Sequence, residues 1–294
     1  MNFQNKRNIF SPIIAGVMRW GVWGASMSKS EMAAAIADCI DCGITTFDHA
    51  DIYGDYTTEQ DFGAGLQNSG ISRDRIQLIT KCGIMRPCKQ RPEYKVKHYN
   101  TSVKHIINSA EQSLNNLKTD YLDVLLIHRP SPVMDYEAIA DAFTKLSDSG
   151  KVIHFGVSNF LPFHADAMAA LYPLITNQVE LSLFNTTALY DGTVECCNKN
   201  GMVLSAWSPL GGKILFSDQQ PSNKQALQDL AADLGHSLVQ LALNFILHHP
   251  AGIIPVIGTS RSEGFRESVG ALQKKLTDEQ WFEILKIVKG TEVP

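Results

Sequence analysis

The 294-residue chain has only six cysteines and no block of charge of either sign. So few cysteines in a chain of this length do not suggest a disulfide framework. Lysine and arginine total 26, against 30 aspartate and glutamate residues. This mixed balance argues against a nucleic-acid groove or an anionic membrane surface as a partner. A small molecule is the expected partner.

Long apolar segments are also missing, since the longest are strand-sized or interrupted by charge and fall short of the ~20 residues that a membrane span requires. The N-terminal segment 1–7 is polar and has no apolar core of signal-peptide length. We therefore expect a cytoplasmic protein. No Gly-x-Gly-x-x-Gly motif follows a strand, so a separate dinucleotide domain is not expected. No His/Cys/Asp cluster has ligand spacing, so no metal is expected.

Short strand-like runs alternate with helical patterns, which predicts repeated βα units and a parallel sheet. The predicted strands are 13–17, 45–48, 76–81, 124–128, 153–157, 175–179, 203–206 and 253–257. Eight such units are the number at which a parallel sheet closes into a (β/α)8 TIM barrel. We expect a single domain over residues 1–294, with an N-terminal extension and an extra C-terminal helix at 281–288.

Capping boxes and loops refine this barrel. Boxes at the required three-residue offset are Ser28 with Glu31, Ser222 with Gln225, and Thr277 with Gln280. Two irregular segments, 83–99 and 210–221, each follow a predicted strand. They should therefore lie on the carboxyl-terminal rim of the barrel, where substrate loops are found.

Polar or aromatic residues stand at most strand exits. They are Asp48, Lys81, His128, Ser158 with Asn159, Gln178, Trp207 with Ser208, and Thr259 with Ser260. A barrel brings such residues together on one rim. Strand ends that simply turn toward solvent would explain Ser208 and Thr259, but would explain the aspartate, lysine and histidine less well.

Tyr53, five residues after Asp48, completes a set of groups suited to proton donation. A free phenol has a pKa of about 10, so an acid role near neutral pH calls for a neighbouring cation. Lys81 is the candidate cation, Asp48 would keep it charged, and His128 would hold the oxygen that is protonated. Taken singly, each residue has an ordinary alternative as a turn tyrosine, strand-end lysine, loop histidine or capping aspartate; their joint occurrence favours an acid system.

Three segments carry a family resemblance that covers nearly the whole chain. They read GITTFDHADIYG at 43–54, GKVIHFGVSNF at 150–160 and TNQVE at 176–180. The chain resembles the aldo-keto reductases, and at 43–54, 127–130 and 289–294 it is most similar to the bacterial YdhF-like oxidoreductase subgroup. The resemblance implies that Asp48, Tyr53, Lys81 and His128 form the catalytic tetrad. A nicotinamide would pass hydride to a carbonyl carbon while Tyr53 protonates the developing alkoxide.

The same resemblance implies a cofactor site. Its expected residues are Ser158, Asn159 and Gln178 at the carboxamide, Trp207 at the ring, and Ser208, Leu210 and Gly211 in a phosphate loop that runs to Lys213. Gly258, Thr259, Ser260 and Arg261 would hold the adenosine 2'-phosphate, and Glu267 and Ser268 the adenine. The family usually has a second arginine where this chain has Gly264, with Arg266 as the available substitute. NADPH is the expected cofactor, with NADH as the alternative.

Substrate contacts are expected from Trp20, Arg129 and the 83–99 segment, around a small-molecule carbonyl in a monomeric enzyme. Two other functions stay open at this point. One is a nucleotide-binding regulatory or sensor barrel with little turnover. The other is a barrel enzyme that uses Lys81 to form a Schiff base.

Overall fold

Parallel strands build the centre of the molecule. The computed structural model describes residues 9–212, 214–217 and 221–293, which leaves the expected N-terminal extension outside the described part. The barrel strands are β1 (Ile14–Gly16), β2 (Thr46–Asp48), β3 (Gln77–Cys82), β6 (Leu122–Ile127), β7 (Val152–Ser158), β8 (Thr176–Glu180), β9 (Val203–Trp207) and β10 (Ile254–Ile257). Two short strands, β4 (Ile84–Met85) and β5 (His98–Tyr99), form a separate antiparallel pair.

The barrel is closed in the order β1-β10-β9-β8-β7-β6-β3-β2, and every neighbouring pair is parallel. The predicted (β/α)8 TIM barrel is therefore confirmed. All of the predicted strands appear, with ends that differ by at most two residues. Most of them, such as 124–128, are largely apolar runs, as a parallel strand covered on both faces requires.

Helices alternate with the barrel strands. They are α1 (Lys29–Asp41), α2 (Thr58–Ser69), α3 (Val103–Leu117), α4 (Tyr136–Asp148), α5 (Pro162–Leu171), α6 (Thr193–Lys199), α7 (Pro221–Asp233), α8 (Leu238–Leu247), α9 (Ser262–Gly270) and α10 (Asp278–Lys289), with short 3-10 turns at Arg73–Arg75, Thr187–Leu189, Ile214–Phe216 and Ala271–Gln273. The predicted C-terminal helix is confirmed as α10, whose Trp281 stacks on Phe245 of α8 with 4.6 Å between ring centroids.

Two of the three predicted capping boxes are confirmed. Ser28 caps α1 and Thr277 caps α10, each with the reciprocal bond from the residue three positions later. The prediction at Ser222 falls on a residue of α7 whose side chain lies outside the described part of the chain, so it stays a prediction. A box that was not predicted, Ser237 with Gln240, caps α8.

Side-chain alternation along β3 decides which residues reach the barrel interior. Ile79 belongs to an apolar cluster with Ile14 and Val124 of other barrel strands. Lys81 lies two residues beyond Ile79 and therefore points into the same interior. Thr80 points the other way, toward the layer between strands and helices. The barrel interior is thus apolar at the level of Ile79 and polar at the carboxyl ends of the strands.

Among the described residues, none of the helices has by itself the length and apolar character that a membrane span requires. The helices Asn223–Asp233 and Leu238–Leu247 have sufficient length and apolar composition only when taken together, and they are bent by 84° with respect to each other.

Candidate active site

A buried ion pair lies at the carboxyl ends of β2 and β3. Lys81 Nζ is 2.7 Å from each carboxylate oxygen of Asp48, and it also donates to the backbone oxygen of His49 at 2.8 Å. Both side chains are almost fully buried. Gln178 Nε2 donates to Asp48 Oδ1 at 2.9 Å, so the carboxylate is also held from β8. This full set of partners is what a buried charge pair requires.

Tyr53 stands in the turn between β2 and α2 with its hydroxyl against the lysine. Lys81 Nζ donates to Tyr53 Oη at 3.3 Å. The turn is tight, because the backbone N–H groups of Thr57 and Thr58 both donate to the Tyr53 carbonyl. Gly54 adopts a φ of 59° within it, a value that glycine reaches without steric cost. The structure therefore joins Asp48, Lys81 and Tyr53 in one chain of hydrogen bonds.

The pKa values of this chain follow from burial and charge together. Burial raises the pKa of Tyr53 above its usual 10, while the Lys81 cation pulls it down and Asp48 pushes it up. Lys81 thus acts in the expected direction, but burial outweighs it in the protein alone. For Lys81, burial lowers the pKa, yet the attraction of Asp48 and Tyr53 raises it overall, so the amine stays charged.

His128 lies beside Tyr53 at the end of β6. The two rings meet edge to face with 6.1 Å between centroids. Burial, helped by the positive charges of Lys81, Arg129 and Lys97, holds the pKa of His128 well below its usual 6.5. Its ring is therefore neutral, and Nδ1 is buried without a hydrogen-bond partner among the described residues. A neutral imidazole can donate one hydrogen bond to a substrate oxygen.

The residues expected at a nicotinamide form one connected network. Ser158 Oγ donates to the Gln178 carbonyl at 2.9 Å, and Asn159 Nδ2 donates to Ser158 Oγ at 2.8 Å. Trp207 Nε1 donates to Asn159 Oδ1 at 2.9 Å, which fixes the indole at the exit of β9. Amide and hydroxyl groups beside a partly buried aromatic face suit a planar carboxamide ring, so these residues fit the cofactor.

The expected phosphate loop follows β9. Ser208 has a φ of 52°, and Gly211 has a φ of 64°. A Cβ at Gly211 would lie 2.4 Å from a ring atom of Phe184, so only glycine fits there without displacing the ring. Leu210 packs against the core. Lys213 of this loop lies outside the described residues.

The segment after β10 carries the expected 2'-phosphate residues. Arg261 is exposed and its backbone N–H donates to Thr259 Oγ1 at 3.2 Å. A Cβ added at Gly264 would lie 2.3 Å from the same Thr259 hydroxyl. The threonine side chain therefore fills the space from which a second arginine would extend. Arg266, the suggested substitute, is exposed. Burial raises the pKa of Cys42 at the end of α1, and the charge of Arg266 opposes that rise.

The remaining members of this set differ in exposure. Ser260 and Glu267 are half-buried, and Gly258 has open space where a side chain would begin. Ser268 is buried and donates to the backbone oxygen of Gly264 at 2.7 Å. Its hydroxyl is thus engaged within α9.

Comparison with known proteins adds the deciding observation. The chain matches the Aldo/keto reductase family over residues 12–289. It belongs to the aldo-keto reductase family. This reductase is 43% identical to the uncharacterized oxidoreductase YcsN of Bacillus subtilis (strain 168) over 291 residues, 97% of this chain and 96% of YcsN.

Two further relatives cover this aldo-keto reductase almost completely. Oxidoreductase YdhF of Escherichia coli (strain K12) is 42% identical, covering 97% of this chain and 96% of YdhF. A 6-dehydroglucose reductase of Agrobacterium fabrum (strain C58 / ATCC 33970) is 40% identical, covering 96% of each chain. A solved structure, the thermostable aldo-keto reductase Tm1743 with the inhibitor epalrestat, superposes with a TM-score of 0.79 at 26% identity over 94% of each chain. The family resemblance seen in the sequence is confirmed.

The structure does not support Trp20 as a substrate residue of this aldo-keto reductase. Its ring is fully buried among Phe47, Phe62 and Phe265, and its Nε1 donates to the Thr259 carbonyl at 2.9 Å. A ring enclosed in this way has no surface for a substrate, and it ties β1 to the segment after β10 instead.

Two other aromatic contacts lie at the substrate side. Trp23, which the sequence did not single out, lies 6.2 Å from the Tyr53 ring. A second tryptophan three residues after Trp20 was the only signal for it. Arg129 lies with its guanidinium 5.6 Å from the Trp207 ring, so this substrate candidate does stand at the site.

The 83–99 segment of the reductase, read as irregular, contains β4 and β5 and is tied to the turn after Tyr53. Arg86 Nε pairs with Asp55 at 3.0 Å, and the Arg86 backbone N–H donates to Tyr56 Oη at 2.9 Å. The Arg86 guanidinium also lies 4.8 Å from the ring of Trp23. The segment thus forms a wall beside the tetrad.

Among the described residues, no group of three or more His, Cys, Asp or Glu side chains could hold a metal ion.

Proposed function

We propose that this chain is an NADPH-dependent reductase that converts an aldehyde or ketone to an alcohol. The observation that carries the proposal is Lys81 Nζ in contact with both the Asp48 carboxylate and the Tyr53 hydroxyl. A bound nicotinamide supplies hydride to the carbonyl carbon. Everything else in the reaction falls to the protein's own side chains.

Tyr53 donates the proton to the oxygen of the carbonyl as negative charge develops there. An alkoxide is a much stronger base than a phenolate, so proton transfer from Tyr53 to the developing alkoxide is favourable. The charged Lys81 then stabilises the phenolate that is left, and Asp48 keeps Lys81 protonated in a place closed to water. His128, neutral at working pH, donates to the same carbonyl oxygen and orients it.

The contacts of Lys81 also bear on the Schiff-base alternative. An amine must be unprotonated to attack a carbonyl. Here Asp48, Tyr53 and a backbone oxygen hold the ammonium, and the pKa is raised. This environment argues against Lys81 as a nucleophile. A binding-only barrel would not need the Tyr53–Lys81 contact.

The names of two relatives suggest a substrate class. The proteins from Agrobacterium fabrum and from a Novosphingobium aromaticivorans strain, 40% and 30% identical to this chain, are each called a 6-dehydroglucose reductase. We propose that this chain likewise accepts a polyhydroxylated aldehyde. Arg129 and Lys97 both lie close enough to His128 to affect its pKa, and both can donate to hydroxyl oxygens.

An NADPH oxidation assay tests the proposal. The panel should contain 6-dehydroglucose, glyceraldehyde, hexanal, a simple ketone and a quinone. We expect reduction of the two hydroxylated aldehydes with a higher kcat/KM than hexanal, and an alcohol product. NADPH binding without oxidation by any carbonyl would favour the sensor alternative, and a lysine adduct trapped by borohydride would favour the Schiff-base enzyme.

A further inference from the structure

Thr80, the neighbour of Lys81, makes a buried contact on the opposite face of β3. Lys81 points into the barrel, so Thr80 points outward to the helices. Its Oγ1 donates to Glu59 Oε1 at 2.6 Å. Both side chains are almost fully buried, with Thr80 at 0% and Glu59 at 2% exposure. The site chemistry described so far uses neither of them.

The hydrogen bonds that the Glu59 carboxylate accepts from described residues all come from neutral donors. Its second oxygen, Oε2, accepts from Asn116 Nδ2 of α3 at 3.3 Å. Burial raises the pKa of Glu59, and hydrogen bonds from Thr80, Ser113 and Asn116 oppose that rise. No ion pair of Glu59 occurs among the described residues. A buried acid in this setting costs more free energy than an apolar side chain of the same size.

The position of Glu59 in the chain connects this contact to Tyr53. Glu59 stands in the first turn of α2, six residues after Tyr53, and the intervening turn is closed by bonds from Thr57 and Thr58 to the Tyr53 carbonyl. A shift of the start of α2 therefore moves Tyr53. A shift of Thr80 likewise moves Lys81, because the two are adjacent on one strand.

We propose that Glu59 is a positioning residue that sets the distance between Tyr53 and Lys81. The Glu59–Thr80 hydrogen bond clamps the segment that carries the acid to the strand that carries the cation. On the inner face the same two elements meet at the 3.3 Å contact of Tyr53 Oη with Lys81 Nζ. This inference rests on the proposed reductase function, because the contact matters only if Tyr53 donates a proton.

The energetic reason is the steep dependence of catalysis on geometry. A misplacement of about 1 Å from a change away from the chemistry can cost about a hundredfold in rate. An apolar side chain at position 59 would pack α2 against β3 without fixing the position of the helix along the strand. A short hydrogen bond to one hydroxyl group fixes that position.

A double-mutant cycle on kcat tests the clamp. We expect Glu59→Ala and Thr80→Val each to lower kcat about ten- to a hundredfold, with the KM for the aldehyde and the Kd for NADPH within about threefold. The double variant should be no slower than the worse single variant, because both remove the same bond. Glu59→Gln and Thr80→Ser keep an acceptor and a donor and should recover kcat to within about threefold of the unmodified protein.

A matched control separates positioning from loss of a buried hydroxyl. Thr176→Val removes another buried strand threonine, which bonds Ser205 at 3.1 Å on the far side of the barrel. It should leave kcat unchanged while costing similar thermal stability. The solvent isotope effect on kcat should rise in Glu59→Ala and Thr80→Val alone, since a displaced acid makes proton transfer slower.

Several results would overturn the inference. They are an unchanged kcat in a folded Glu59→Ala or Thr80→Val, additive losses in the double variant, or an equal loss of kcat in Thr176→Val. If Glu59→Ala does not fold, Glu59→Gln and Thr80→Ser take its place. A kcat in these two variants that falls only in proportion to their thermal stability would also overturn the inference. Absence of any carbonyl turnover in the unmodified protein overturns the proposed function, and this inference with it.

Discussion

Lys81 is the residue on which the other groups of the site depend. It carries its charge in a place almost closed to water, where an unpaired ammonium would lose its proton. Asp48 prevents that loss with two hydrogen bonds, and Gln178 holds Asp48 in turn. Removing one partner of such a pair typically costs about 3 to 5 kcal/mol. The same arrangement leaves the charge available to a phenolate at Tyr53.

Gly264 affects the choice of cofactor. The Thr259 side chain fills the space beside Gly264. This chain therefore has Arg261 but no arginine at position 264, where the family resemblance leads us to expect a second one. A planar guanidinium suits a phosphate, so NADPH should still be favoured, though less than a pair of arginines would favour it.

Arg261→Ala tests this view of cofactor preference. We expect the Kd for NADPH to rise about tenfold, the value of one charge-assisted hydrogen bond, and the Kd for NADH to stay the same. The measurement is a fluorescence titration with each nucleotide, and Arg266→Ala is the matched control with little effect on either. A larger loss with Arg266→Ala would mean that Arg266 holds the phosphate.

At the scale of elements, the turn after Tyr53 and the 83–99 segment support each other. Asp55 and Tyr56 are non-glycine residues with φ values of 55° and 73°. Such left-handed residues cost free energy and persist where the surroundings hold them. Arg86 bonds both of their side chains, and Arg91 lies 4.7 Å from the Tyr56 ring. The segment thus stabilises the turn that carries the acid.

Arg86→Met should loosen that support without unfolding the protein. The Arg86–Asp55 pair is partly exposed, so its loss should change the free energy of unfolding by less than about 1 kcal/mol. The KM for the aldehyde should rise about three- to tenfold, because binding must then order the segment. Steady-state kinetics beside Lys89→Met, an exposed cation of the same segment, checks this. Equal effects from the two variants would contradict it.

The elements that could be predicted were those with a clear apolar pattern. A barrel strand such as β6 is buried on both faces, and its apolar sequence shows it. The pair β4 and β5 could not be predicted, because two residues per strand are too few to show alternation. The Ser237 box at α8 has the same three-residue spacing as the two confirmed boxes, so the sequence does contain the signal for it.

Some individual site residues could likewise be predicted from the sequence, and others could not. The tetrad followed strand ends and a motif, so its positions could be read directly. Whether Trp20 or Trp23 faces the substrate depends on the path of the loop after β1, which no local pattern specifies. The partner of Glu59 is likewise set by how α2 lies on β3. The effect of burial on the pKa of Tyr53 needs the folded structure.

At the scale of the whole molecule, the barrel buries ionisable groups and shifts their pKa values away from those that they have in water. His49 is fully buried, and burial with the nearby Lys81 charge lowers its pKa to about 3. Both of its ring nitrogens lack hydrogen-bond partners among the described residues. In the unfolded chain the same ring has a pKa near 6.5. The unfolded state therefore binds one more proton below that pH.

Stability should consequently fall as the pH drops from about 6.5 toward 3. Each such histidine contributes up to about 1.4 kcal/mol per pH unit, and His128 adds to the effect. Asp51 and Glu59, whose pKa values are raised mainly by burial, act in the opposite sense because the folded state then holds the extra proton. His49→Leu isolates the histidine: urea unfolding between pH 7 and 5 should show a shallower fall in the variant, and identical slopes would refute the assignment.

The barrel also brings groups from β2, β3, β6 and β8, which lie far apart in the chain, around the hydroxyl of Tyr53. Proton donation by Tyr53 is the central claim. The most direct measurement is aldehyde reduction by Tyr53→Phe, with the Kd for NADPH measured on the same preparation. We predict a fall in kcat/KM of about a hundred- to ten-thousandfold with an unchanged Kd, because the substitution removes only the hydroxyl. Turnover equal to that of the unmodified protein would contradict the role of Tyr53 as the acid.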